Sequence, residues 1–503
     1  MHFTYPPARR GDAFDELHGI TVPDPYRWLE DSDDPDTATF VAAQNALTYP
    51  YLEGLEPVRS LTKRLQQLWD VPRTEAPMRR AGVTVWPHND GLSDQPTYMV
   101  EIGDDRRVLL DPNALSDDGT VAVVGWSLSP DGATFAYSLS DAGSDWQRIR
   151  FRNTADGADL ADELTRVKFT DVTWHGDGCF YSAFPDAPVD MVSVPTHHTV
   201  LFHRFGEEQS QDRVVFRNDD PDPLHLVDID TEASVLVIEE HLGTSPANGL
   251  WYRRIDDEAP FRQLIRPGEY RNEFLYADAD GLVVVSDEDA PNGRVVHRAF
   301  EGGALREIVA EGAPIESVTA AAGQLIVVRC QDGAHVISVH ELDGTEVGPI
   351  PTPEPATVMA VQGSRTEPDV FIGYVSFTRP NSVLHWTDGA TTTFAGADPI
   401  VAGVTIERHE AQSTDGASVG MFVLRRSDAP TAGANGAAPC ELYGYGGFNI
   451  SLTPTFSPAR LAFVEAGGVA VVANLRGGNE HGERWHAQGM LDRKQQVFDD
   501  FIA

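Results

Sequence analysis

The chain has 503 residues, 41% of them apolar, and a formal net charge of −39 from 77 acidic and 38 basic residues. That length calls for two or three domains. The charge argues against nucleic acid and anionic membranes as partners, both of which need basic patches.

No run reaches the roughly 18 apolar residues of a membrane span. The start, "MHFTYPPARRGDAFDELHG", lacks the apolar segment of a secretory leader. The cysteines, Cys179, Cys330 and Cys440, are widely spaced and odd in number. They are expected to be reduced thiols, and the expected compartment is the cytoplasm. Lys63, Lys168 and Lys494 are the lysines, and the skew toward arginine reads as composition rather than mechanism.

Residues 1–72 read as a helical arm. Asp34, Pro35 and Asp36 form a helix start, Phe40, Ala43 and Leu47 follow at helical spacing, and a second helix is predicted over Val58 to Trp69. From 73 to 399 the texture becomes short β-rich runs broken by Asp-Gly turns. Units begin at Gly82, Trp126, Val172, His225, Phe274, Glu316 and Val358, with spacings in the forties to low fifties. That period predicts a seven-bladed β-propeller with four strands per blade. Paired β-sandwiches also show regular strands and turns, but not seven units of nearly equal length.

From 400 to 503 strands alternate with helices, which predicts part of an open α/β sheet. "VTIERHEAQSTDGASVGMFVLRRS" reads as a hairpin, "ELYGYGG" and "GGVAVVANLRGG" as strands ending in glycines, and "SPARLAFVEAG" and "RKQQVFDDFIA" as helices. Functional loops of such sheets lie at the carboxyl ends of strands, where Tyr443 to Phe448 are expected. A tyrosine there presents a neutral donor that can stabilise a developing oxyanion, although a glycine-flanked tyrosine is more often a structural turn.

The strings "VPDPYRWLED", "DPNALSDDGTVAVVGWSLSPDGATFAYSLSDAGSDWQRIRF", "YGYGGFNISLTPTFS" and "GGVAVVANLRGGNEHGERWHAQGMLDRKQQVFDDF" closely resemble the prolyl oligopeptidase family across essentially the whole chain. The resemblance implies an α/β-hydrolase domain capped by a seven-bladed propeller that admits short proline-containing peptides. No cofactor and no metal are expected. The resemblance assigns Tyr445 to the oxyanion hole, Phe448 to an aromatic wall for the proline ring, and Phe169 to a propeller position flanking the substrate. Arg476 is given structural weight only.

The family's nucleophile sits in a Gly-x-Ser-x-Gly elbow, followed in chain order by the acid and the histidine. In the family that elbow follows the "FDDF" helix, so the Ser-Asp-His triad is expected beyond Ala503 and this chain alone is expected to be inactive. "GASVG" around Ser418 fits the pattern, but it follows an Asp-Gly turn and enters a strand, so it is read as a decoy. Asp228, Asp230, Glu232 and Glu239 imitate a Ca²⁺ loop, but Ala233 replaces the required glycine. His197-His198 and His481/His486 lack a metal-ligand pattern. The strand ending at Tyr443 is expected to be an unpaired apolar edge, which predicts oligomerisation or poor solubility. The competing reading is a non-catalytic propeller that binds peptides or protein partners.

Overall fold

The structure is a computed structural model that describes residues 3–31, 34–187, 195–257, 259–302, 304–396, 398–428 and 438–503. The chain divides into two units, Met1–Trp69 and Asp70–Ala503.

The first unit opens with a hairpin, β1 (Phe14–Leu17) and β2 (Ile20–Pro23), paired antiparallel with Leu17 opposite Ile20. His18 and Gly19 make the two-residue turn with φ of 52° and 78°, as the right-handed twist of such hairpins demands. α1 (Pro35–Glu53) begins where Asp34 accepts the Asp36 N–H at 2.8 Å, with Pro35 at its first position. α2 (Glu56–Trp69) follows.

The second unit holds seven consecutive antiparallel sheets, spanning 73–110, 121–167, 173–216, 224–265, 272–309, 315–350 and 356–395. Six have four strands in sequence order. In the first, the inner strand is broken into Arg73–Thr74 and Met78–Arg80, both paired to Val83–Asn89. The first strands pack side by side between the first and second sheets and from the third sheet through the seventh, and that of the seventh lies against Met78–Arg80 of the first. Trp174 Nε1 donates to Ser127 Oγ at 2.6 Å between the second and third sheets. This is a closed seven-bladed propeller.

Blade faces pack on each other through side chains, which explains the apolar runs of the second strands: Val235–Ile238, Leu282–Val285 and Leu325–Val328 are essentially inaccessible. Blades 7 and 1 share no strand. They meet through the Arg79–Asp369 ion pair at 3.1 Å, the Ala81 N–H donating to the Glu367 carboxylate at 2.8 Å, and Phe394 edge-on to Trp86 at 5.7 Å. Five carboxylates, Glu75, Asp171, Asp228, Glu273 and Glu316, sit on or beside the innermost strands. Burial raises the pKa of each, and for Asp228, also facing Glu239, Asp171 and Glu273, to about 7.

After the propeller comes a sheet of β3 (Val404–Gln412), β4 (Ser418–Arg426), β5 (Cys440–Gly444) and β6 (Val469–Ala473), in the order β3-β4-β6-β5. β3–β4 and β4–β6 pair antiparallel; β5 and β6 pair parallel, joined by α3 (Pro458–Glu465). A parallel pair needs such a crossover. The Ser457 hydroxyl caps α3 by accepting the Arg460 N–H at 3.3 Å. Val464 of α3 packs with Phe422, Leu424, Ala470 and Val472, and Phe377 from the propeller joins them. On the other face Val419, Ala473 and Leu475 meet Val497 of a helix near the chain end. The sheet is seated on the propeller where the Thr357 hydroxyl donates to the Pro454 carbonyl at 2.7 Å. β5 is the outer strand, with Leu442 44% and Tyr443 43% exposed.

Candidate active site

The chain leaves the carboxyl end of β5 at Gly444 and turns through Tyr445, Gly446, Gly447 and Phe448. Only glycine fits at 446. Its φ is +59°, and a Cβ would lie 2.4 Å from Val497 Cγ1 and 2.9 Å from the Arg476 carbonyl oxygen. Gly477 (φ +96°) faces it: a Cβ there would stand 2.5 Å from the Gly446 carbonyl oxygen. Gly489 completes the contact, its Cβ position lying 2.4 Å from Gly477 N. Three backbones thus touch without intervening side chains.

Two non-glycine residues in left-handed conformation follow, Phe448 (φ +55°) and Asn449 (φ +58°). A bulky aromatic residue there is strained, and such strain gathers at functional sites. The turn is held because the Asn449 N–H donates to the Gly477 carbonyl at 3.1 Å and the Ile450 N–H to the Gly447 carbonyl at 3.1 Å. His486 Nδ1 lies 2.8 Å from the Gly477 carbonyl oxygen; a ring nitrogen so close to a carbonyl carries the proton and donates it.

Beneath the loop, Arg476 is 3% exposed at its side chain. Its Nε donates to Asp500 at 2.9 Å, and its other nitrogens to Asp415, Gln496 and Ser413. Asp500 lies on α5 (Gln495–Ile502), the second helix packed on this sheet after the short α4 (Glu483–Ala487). The hydrogen bond that Arg476 donates to Asp500 is the main cause raising the Arg476 pKa further, so the guanidinium stays charged. The structural weight given to Arg476 has this geometry behind it.

Tyr445 is 44% exposed, and its hydroxyl makes no hydrogen bond among the described residues. Phe448 is 84% exposed, with its ring centroid 6.4 Å from that of Tyr445 and tilted by 33°. The loop brings these two residues together on open surface, a free phenolic donor beside an apolar face. Phe169 stands apart, at φ +51° and 49% exposed, in the approach to blade 3. Its neighbours are pinned: Lys168 Nζ sits 4.6 Å from the Trp146 ring centroid, and the Thr170 hydroxyl accepts the Ser182 N–H at 2.8 Å. Among the described residues no ring contact joins Phe169 to Tyr445 or Phe448.

The remaining motifs have other employment. Ser418 opens β4 inside a hairpin and donates to Glu410 at 2.6 Å, with no helix following. Asp230 and Glu232 pair with Arg365, while Glu239 accepts from the Phe274 N–H at 2.9 Å and from Asn248. His198 is fully buried, accepts the His225 N–H at 2.9 Å, and is held neutral by burial, its pKa pushed down to about 3. His481 packs edge-on to Trp485 at 4.9 Å. Lys494, which composition alone made unremarkable, donates its ammonium to the Gly446 carbonyl. Nothing in the sequence pattern pointed to that contact.

Residues 6–392 match the family model described as "Prolyl oligopeptidase, N-terminal beta-propeller domain", and residues 454–503 match "Prolyl oligopeptidase family". The chain is 29% identical to the prolyl endopeptidase of Elizabethkingia miricola over 511 residues, covering 99% of this chain and 72% of that one. It is 29% identical over 563 residues to prolyl oligopeptidase A of Galerina marginata (strain CBS 339.88), covering 99% of this chain and 74% of the relative. A solved structure from work on two prolyl endopeptidases aligns with a TM-score of 0.76 and 34% identity over 99% of this chain and 74% of that one. Apo prolyl oligopeptidase B from Galerina marginata aligns over 99% of this chain and 76% of its own, with a TM-score of 0.82 at 24% identity, a likeness of fold. Propeller, seated α/β sheet and both family models converge: the chain belongs to the prolyl oligopeptidase family.

Proposed function

We propose that this chain supplies the propeller cap and the oxyanion side of a serine-type peptidase that cleaves short peptides after proline. Tyr445 is the donor to the developing oxyanion, Phe448 the wall that receives the proline ring, and Phe169 a propeller residue flanking the peptide. The observation that supports this most is the Tyr445–Phe448 pair, presented together at the carboxyl end of β5 with the phenol unengaged. Proline is a compact apolar ring without an N–H, so an aromatic face suits it. The donor is neutral and gains strength as negative charge develops opposite it.

The 503 residues by themselves do not turn over peptide in this reading. Their Gly-x-Ser-x-Gly sequence lies in a hairpin, and Ser418 is engaged with Glu410 rather than with a histidine. A fluorophosphonate probe should leave Ser418 unlabelled, and a chromogenic proline peptide should stay intact; labelling at Ser418 would end the inactive reading. A proline-containing peptide should bind saturably by calorimetry, weakened by Phe448→Ala, and absence of binding would count against the pocket assignment. On a polypeptide that also carries the triad, Tyr445→Phe should lower kcat by about 10²–10³ with KM little changed.

A further inference from the structure

We infer that Lys494 is a positioning residue, whose ammonium locks the Gly446 carbonyl and so fixes the aim of Tyr445 and Phe448. This rests on the proposal that those two side chains face the substrate. The Gly446–Gly447 peptide lies between two left-handed residues, Gly446 and Phe448, so the carbonyl of Gly446 decides how the chain enters the strained turn. That carbonyl packs against Gly477 and accepts a hydrogen bond from the Lys494 ammonium. A Cβ at Gly447 would also be 3.6 Å from Lys494 Nζ, so the cation spans both glycines. Lys494 caps α5, and Val497 in its first turn also closes on Gly446, its Cγ1 standing 2.4 Å from where a Cβ on that glycine would lie. Helix and loop are therefore joined by one charged hydrogen bond and one apolar contact.

Other polar side chains close to the loop are committed elsewhere. Arg476 is saturated by Asp500, Asp415, Gln496 and Ser413, and His486 donates to Gly477 rather than to Gly446. Lys494 is half-buried, and among the described residues no carboxylate lies within ion-pairing distance of its nitrogen. An ammonium so placed has the backbone carbonyl as its main protein partner, and a charged donor holds a carbonyl more firmly than a neutral one. If the ammonium is removed, the peptide can rotate and relieve the strain at Phe448 and Asn449. Tyr445 and Phe448 would then be displayed on a mobile loop.

The test uses the whole chain and needs no substrate. Chymotrypsin attacks aromatic residues in accessible, locally open segments, so cleavage within 445–448, located by mass spectrometry, reports loop opening. Lys494→Met should raise that cleavage rate about tenfold or more while cleavage elsewhere stays constant, and Tm should stay within about 2 °C. Lys494→Arg, which keeps a charged donor, should return the rate to within roughly threefold of the parent. Should Lys494→Met fail to fold, Lys494→Gln is read in the same way. Unchanged loop cleavage in the neutral variant overturns the inference. So does a general rise at all sites with a lowered Tm that arginine does not reverse, since that marks ordinary packing. A peptide titration run in parallel separates the two ideas: no peptide binding with a normally locked loop counts against the active-site reading and leaves the lock standing.

Discussion

The propeller and the sheet that follows it solve the same burial problem in opposite ways. Each blade covers its faces with neighbours of the same architecture, so a second strand can carry an apolar run that meets no water, as at Val235–Ile238. The 404–503 sheet has two different covers, α3 on one face and α5 on the other, and its outer strand β5 leaves Leu442 and Tyr443 nearly half exposed. Repetition spreads stability evenly over many weak interfaces. The α/β segment concentrates it in a few specific contacts, of which the Arg476–Asp500 pair is the most deeply buried.

Breaking that pair should therefore give the largest effect. Arg476→Met leaves the Asp500 carboxylate buried without its main partner, and about 3–5 kcal/mol of stability should be lost. Hydrogen exchange should place the loss in 404–503, with the blades still protected; uniform deprotection would erase the contrast between the regions. A comparable cut in the propeller is Phe151→Ala. Phe151 is inaccessible and packs edge-on to Phe205 at 4.9 Å, so its truncation should cost about 3–4 kcal/mol. Exchange should rise mainly in blades 2 and 3 if the blades behave as neighbours in a row.

The acidic inner strands sharpen the comparison through pH. Asp228 keeps its proton to about pH 7 in the folded chain, whereas the unfolded chain releases it near the ordinary carboxylate value. The folded state then binds more protons than the unfolded state, and stability falls as pH rises from about 4 to about 7. Asp228→Asn should flatten this slope and stabilise the protein at pH 8 by about 2 kcal/mol, measured by urea denaturation at pH 5 and pH 8. The remaining slope would come from Asp171, Glu273 and their neighbours.

The smallest change in stability but a clear change in association is expected at β5. Leu442→Lys should alter folding free energy by less than about 0.5 kcal/mol, because the residue is exposed, yet charge on an open strand blocks edge pairing. Light scattering should show a shift from oligomer toward monomer; a parent chain already monodisperse and monomeric would remove the reason for the substitution.

The blades were legible because Asp-Gly turns separate runs of strand-forming residues at nearly constant spacing. The inner strand of blade 1 was not, since Glu75-Ala76-Pro77 breaks it into pieces of two and three residues, and the sequence reading opened that blade only at Gly82. The β1–β2 hairpin escaped for another reason: its strands are only four residues long, too short for Ile20-Thr21-Val22 to stand out as alternation, and both are wholly exposed. Only His18-Gly19 offered a turn signal. Tyr445 and Phe448 were assigned through the family resemblance; the glycines around them signal only a special backbone, which by itself more often marks a structural turn. Lys494 could not be named from the chain, because its bond reaches a carbonyl 48 residues away and depends on how α5 docks.

The meeting of Gly446, Gly477 and Gly489 sets a limit on what the loop can absorb. Where side chains intervene, a misplaced neighbour is cushioned by a change of rotamer, but here peptide rests on peptide like dry-laid stone. Any shift of the 475–489 segment passes undamped to the phenol at 445. Variation in that segment should thus be read first as a change in the position of the 445–448 loop, even when every residue near the loop is untouched.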